Sequence, residues 1–83
     1  MENKAIIIFK IQKTGKEYDL EIPLDITAND LVNALNSAYG LGIDIFDSKN
    51  CYLKADNPIA LLKGNSKLSD YGIHNGTIID FTE

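Results

Sequence analysis

The sequence predicts an α+β fold in which one mixed β-sheet packs on a single main helix. Three observations lead there. The chain opens with two segments of alternating apolar and polar residues joined by a glycine-containing turn, continues into one amphipathic helix with both ends marked, and closes on a second very apolar strand. A single amphipathic stripe is most economically buried on the face of one sheet. The first and last strands are the most apolar and are expected at the centre, side by side. They would then run parallel, with the long excursion between them as the crossover that parallel pairing requires.

KAIIIFKIQ, residues 4–12, is rich in β-branched residues and reads as a strand. Its alternation sends Ile7, Phe9 and Ile11 to the core and Ile6, Ile8 and Lys10 to the opposite face. KTGK is a turn in which Gly15 supplies a positive φ. EYDLEI, residues 17–22, places Tyr18, Leu20 and Ile22 inward and Glu17, Asp19 and Glu21 outward. Pro23 ends this strand because it has no N–H to give a ladder. TANDLVNALNSAYG is the helix. Thr27 and Asp30 have capping-box spacing, and Gly40 stands where a helix stops in the left-handed conformation. Leu31, Leu35, Ala38 and Tyr39 form the expected inward face, with Asn29, Asn33 and Asn36 outward.

The loop of residues 41–50 carries Ile43, Ile45 and Phe46, all expected beneath the core. Short strands follow at residues 51–55 and 59–62, separated by the turn Asp56-Asn57-Pro58. KLSDYGI contains a single 3₁₀ turn, Asn75-Gly76 turns again, and TIIDF is the last strand, with Ile79 and Phe81 inward. Hairpin, helix, two short strands and final strand make the β-grasp arrangement. On its outer face, away from the helix, the pleat gathers Ile6, Ile8, Tyr52 and Ile78, and this set is the candidate interaction surface. A homodimer and docking on another protein are its two plausible uses. A one-residue slip in the first strand would exchange Ile6 and Ile8 for Ile7 and Phe9.

Composition narrows the function classes. The 83 residues are expected to form one domain, 1–83, with a modest core. The eight basic residues are all lysines, against twelve acidic ones, for a net charge of −4. Such a chain is ill suited to phosphate backbones or anionic lipids. The longest early apolar run, AIIIF, is too short for a signal-peptide core, and no segment approaches the ~20 apolar residues of a membrane span. The lone Cys51 suits a reducing cytoplasm.

No catalytic or cofactor site is expected. Cys51 and His74 lack a third residue to orient the histidine, and a core cysteine in a strand with a histidine in a polar turn is the simpler reading. One cysteine and one histidine cannot complete a zinc site, and an iron–sulfur cluster would need four cysteines. The GLG at 40–42 follows a helix instead of preceding one, so it is no phosphate loop. In the segment Leu68, Ser69, Asp70, Tyr71, Gly72, the leucine is expected to plug the core. The tyrosine hydroxyl is expected to bond a backbone group of the preceding loop. Gly72 and, further on, Gly76 belong to the same structural loop.

LSDYGI resembles the LSDYNI of ubiquitin, and KTGKEYDLEI resembles its first hairpin. A closer resemblance is carried by Asp19-Leu20-Glu21-Ile22-Pro23 ahead of the helix and by Leu68-Ser69-Asp70-Tyr71-Gly72-Ile73-His74-Asn75-Gly76 ahead of the last strand. Both segments are similar to the YukD/EsaB family of small ubiquitin-like proteins in Gram-positive type VII secretion loci. The resemblance implies a ubiquitin-like β-grasp and a bacterial cytoplasmic, non-enzymatic protein without cofactors. It also implies an accessory or regulatory role, exerted by binding protein components of a secretion machine, membrane-embedded ones among them. The alternatives are a ubiquitin-like modifier or sulfur carrier, and a stand-alone adaptor unrelated to secretion. The modifier reading needs a terminal glycine pair, whereas the chain reads Phe81, Thr82, Glu83 at its end.

Overall fold

The computed structural model describes residues 3–47 and 49–82; Ser48 of the 41–50 loop and Glu83 lie outside the described residues. In chain order the elements are β1 (Lys4–Ile11), β2 (Lys16–Pro23), α1 (Ala28–Tyr39), β3 (Leu53–Asp56), β4 (Ala60–Leu62), a 3₁₀ helix (Leu68–Tyr71) and β5 (Ile78–Phe81). The five strands form one sheet in the order β2-β1-β5-β3-β4. β5 lies at the centre with β1 beside it, and these two strands are parallel, from Ile8 opposite Ile78 to Ile11 opposite Phe81. Every other pairing is antiparallel.

The register of β1 is the one read from the alternation. Ala5, Ile7 and Phe9 are buried, while Ile6 is exposed and Ile8 half-buried. A side-chain clamp holds this register. Asn75 Oδ1 accepts the Ile6 N–H at 2.8 Å, and the Gly76 N–H donates to the Ile6 carbonyl at 2.9 Å. Gly76 adopts φ +90° there, a conformation that side-chain-bearing residues rarely take. Pro23 is the last residue of β2, opposite Lys4. An edge strand tolerates it because the missing N–H would face away from the ladder.

Helix α1 carries the full capping box. The Thr27 hydroxyl accepts the Asp30 N–H at 3.1 Å, and the Asp30 carboxylate accepts the Thr27 N–H at 3.3 Å. Gly40 closes it in the left-handed conformation, φ +62°. Its buried face is Ala28, Leu31, Val32 and Leu35. Ala38, expected inward, is exposed. The helix is rotated so that Val32 instead flanks Leu31 and Leu35. Tyr39 ends the stripe in an aromatic cluster, its ring centroid 5.2 Å from Phe9 and 4.8 Å from Tyr18.

Two of the three asparagines expected to face solvent are half-buried and bind loops. Asn36 Nδ2 donates to the Ile43 carbonyl and Asn36 Oδ1 accepts the Ile43 N–H, both at 2.9 Å. Asn29 Oδ1 accepts the Gly64 N–H at 3.1 Å. Only Asn33 is exposed. Each replaces water with a backbone partner that a loop would otherwise leave unsatisfied.

Two strand starts and the packing of one loop differ notably from the sequence reading. β3 begins at Leu53 because the Cys51 N–H is taken by the Asp47 carbonyl at 2.9 Å, which closes a turn instead of extending a ladder. Ile59 lies outside β4 and is 89% exposed. Of the three apolar residues expected beneath the core in the 41–50 loop, Ile43 packs on it. Ile45 and Phe46 point outward, Phe46 at 90% exposure.

Candidate interaction surface

Backbone pairing fixes the neighbours on the sheet face opposite α1. One rung runs Asp19, Ile8, Ile78, Asp56 across β2, β1, β5 and β3. The next rung towards the start of β1 places Ile6 beside Glu21. The rung on the other side runs Glu17, Lys10, Asp80, Lys54, Leu61. The structure therefore brings Ile6, Ile8 and Ile78 together as a short apolar strip over the two central strands. Ile8 and Ile78 shield one another, and Ile6 is 53% exposed.

Tyr52 does not join them. It precedes β3 and lines a shallow depression of about 20 Å³ with Asn50, Asp80, Phe81 and Thr82. It stands four positions before Asp56, on the order of 13 Å of extended chain. The charged Lys54–Asp80–Lys10 rung stands between. That rung is largely self-compensated: Lys10 Nζ lies 3.8 Å from Glu17, and Asp80 accepts a hydrogen bond from Gln12 Nε2 at 2.9 Å.

The residues singled out around the 3₁₀ helix turn inward on the fold. Leu68 is fully buried, and the Tyr71 hydroxyl donates to the Lys63 carbonyl at 2.8 Å. Asp70 is exposed, its N–H donating to the Lys67 carbonyl. Gly72, at φ +76°, stops the 3₁₀ helix with its N–H on the Ser69 carbonyl. Backbone bonds from Leu68 to Ile26 and from Ser69 to Leu24 strap this segment to the approach to α1.

Cys51 and His74 lie in separate parts of the molecule. Cys51 is buried beside the 41–50 loop. His74 is exposed in the turn before β5, its Nδ1 2.8 Å from the Asn75 carbonyl oxygen. Among the described residues no three His, Cys, Asp or Glu side chains are grouped to hold a metal ion. No helix among them is long and apolar enough to cross a membrane.

Two features escaped the sequence reading. Thr77 is fully buried, its hydroxyl accepting the His74 N–H and donating to the Asn57 carbonyl, both at 3.1 Å. The second is the loop that presents Phe46. The Asp44 carboxylate accepts the Phe46 N–H at 2.9 Å, and the Asp47 carboxylate accepts from Asn50 Nδ2 at 2.8 Å and the Lys49 N–H at 3.1 Å. The Asn50 bond foremost, then the Lys49 amide, holds the Asp47 carboxyl below its ordinary pKa. A cleft of about 140 Å³ opens beside the loop, lined by Asn29, Ile45, Phe46, Cys51, Lys63 and Gly64. The signal was present: aspartates two residues before a backbone N–H form Asx turns, which hold a short loop without core contacts.

Solved structures with this architecture are ubiquitin-like domains. The C-terminal ubiquitin-like domain of mouse tubulin-specific chaperone e aligns over 95% of this chain and 84% of its own, with TM-score 0.73 at 13% identity. The ubiquitin-like domain of tubulin-binding cofactor B aligns over 96% and 89%, with TM-score 0.71 at 18% identity. That of Plasmodium falciparum Dsk2 aligns over 93% and 96%, with TM-score 0.60 at 24% identity. At these identities the likeness establishes the ubiquitin-like β-grasp fold alone. No curated protein matches the chain. The model of a family described as "WXG100 protein secretion system (Wss), protein YukD" matches residues 6–80, nearly the whole length. The chain belongs to the YukD family.

Proposed function

We propose that this protein is a non-enzymatic, non-conjugating accessory or regulatory component of a WXG100 secretion system. It acts in the cytoplasm by docking through its outer sheet face onto protein components of the machinery. One observation carries the reading: Ile6, Ile8 and Ile78 form a continuous apolar strip across the two central strands, on the face that no element among the described residues covers. Scattered surface isoleucines need no explanation, but three adjoining ones on a rigid sheet make a ready seat for a partner. Family membership supplies the context of secretion.

Ile8→Lys tests this. The side chain is half-buried on the outer face, so the variant should keep its circular dichroism spectrum and thermal transition within a few degrees of the parent. Co-purification of secretion components and export of the secreted substrates should both fall. An intact fold with unchanged capture and export would remove the strip from consideration. Incubation with ATP and lysate of the producing cell should leave the intact mass unaltered. A covalent adduct through the terminal carboxylate would point to a modifier instead.

A further inference from the structure

The outer face carries, beyond its apolar strip, a charge pattern that selects an occupant. Resting on the docking reading above, we infer that the face receives an amphipathic helix of a protein partner whose apolar stripe is flanked on both sides by lysine or arginine. Asp19 and Glu21 border the isoleucines on β2, and Asp56 borders them on β3. All three are exposed, and among the described residues none has an ion-pair partner. The cations on this face lie towards its ends: Lys10 beside Glu17, Lys54 on the rung of Asp80 two residues before Asp56, and Lys4 at the start of β1. The strip is thus bounded laterally by carboxylates and lengthwise by Lys4 and Lys10.

The dimensions fit a helix. Asp19 and Asp56 stand three strand spacings apart on one rung, roughly 14 Å at ~4.8 Å per strand. A helix with its side chains is about 10–12 Å across. Laid along β1 and β5, it would set its stripe on Ile6, Ile8 and Ile78, one basic edge over Asp19 and Glu21 and the other over Asp56. Asp19 and Glu21 are two strand residues apart, ~6.7 Å, close to the ~6 Å rise between helical positions i and i+4. From Lys4 to Lys10 the seat measures about 20 Å, three to four helical turns. A second copy of this chain is a poor occupant, since it would bring its own unpaired carboxylates against these.

The test uses a fluorescent helical peptide of about 14 residues with a leucine stripe flanked by lysines, and a counterpart with glutamates in their place. Binding is followed by anisotropy at low salt and at about 0.15 M, with amide shifts mapped on the labelled full chain. The lysine peptide should bind, weaken severalfold with salt, and shift Ile6, Ile8 and Ile78. Asp19→Lys with Glu21→Lys, two exposed positions that leave the core untouched, should lose at least about tenfold in affinity. Asp56→Lys, on the opposite flank, should weaken binding independently. Equal binding of both peptides, binding of neither, or shifts confined to another face would overturn the inference. So would a stable dimer at low salt that covers the isoleucines. Capture of secretion components separates the two levels. If Ile8→Lys abolishes capture and Asp19→Lys with Glu21→Lys does not, docking on the strip stands and the charge selection falls. If neither affects it, both fall.

Discussion

Leu35, Ala38 and Phe46 show what a residue's neighbours decide. Leu31 and Leu35 lie one turn apart and fix the general direction of the helix stripe, but either Val32 or Ala38 can complete it at helical spacing. The sheet beneath settled the choice for Val32, with Ala28 filling the first turn. Leu35→Ala should therefore cost on the order of 2–5 kcal/mol, whereas Ala38→Ser should shift the urea midpoint hardly at all. Comparable losses at both positions would mean that the helix turns Ala38 to the core. Phe46 reverses an equally natural expectation. A loop phenylalanine is usually tucked under a core, yet here two aspartates hold the loop by its backbone and leave the ring in solvent. Phe46→Ala should change stability by less than about 0.5 kcal/mol, against about 3–5 kcal/mol for Phe9→Ala. Denaturant curves of the two variants measure both.

At the scale of elements, what was legible in the sequence is what is local. Thr27, Asp30 and Gly40 mark α1 because capping chemistry acts over three or four residues. The pleat of β1 and β2 was readable because alternation needs no knowledge of a partner. Asn29 and Asn36 were misread because their partners, Gly64 and Ile43, are defined only once the chain has folded back. The candidate surface divides in the same way. Ile6, Ile8 and Ile78 follow from parity and strand order, whereas the isolation of Tyr52 depends on where β3 begins, and the Asp47 carbonyl sets that point. The 41–50 loop has its own pH response. Asp47 is acidified in the fold by the Asn50 and Lys49 bonds. A carboxyl whose folded pKa lies below its unfolded value, about 3.9, contributes stability above that value and loses it as pH falls through the folded one. Loop amides at Lys49 and Asn50 should thus lose protection on acidification before the β1–β5 pair does. Asp47→Asn should remove that step from the titration of amide shifts. A loop equally protected at low pH in the variant and the parent would show that core contacts hold it instead.

The whole molecule sets an order of opening. β5 is flanked by β1 and β3, and its residues Ile79 and Phe81 face the same core as Ile7, Phe9, Leu31 and Leu68. The Ile8 N–H on the Thr77 carbonyl and the Gln12 N–H on Phe81 tie the parallel pair at both ends. The fully buried Thr77 adds a polar anchor from the β5 end to the turn before β4. The two backbone bonds cannot both break without parting the first strand of the chain from the last. β4 is a three-residue edge strand, and around the exposed Phe46 the loop is pinned by exposed side-chain hydrogen bonds from Asp44 and Asp47. Local opening follows such differences in burial and bonding. In native-state hydrogen exchange, the ladder amides of β1 and β5 should exchange only by global unfolding. Their free energies should then match that from urea denaturation. Amides of β4 and of residues 45–50 should exchange by local opening, with little dependence on low concentrations of urea, because little surface is exposed when they open. Protection of the 45–50 amides at the global value would place that loop inside the cooperative unit and contradict its exposure. Early exchange of Ile8 or Ile79 would show that the parallel pair, with the rigid strip of isoleucines it carries, is not the most stable part of the fold. The outer face would then be a surface that yields to its partner, not one that waits for it.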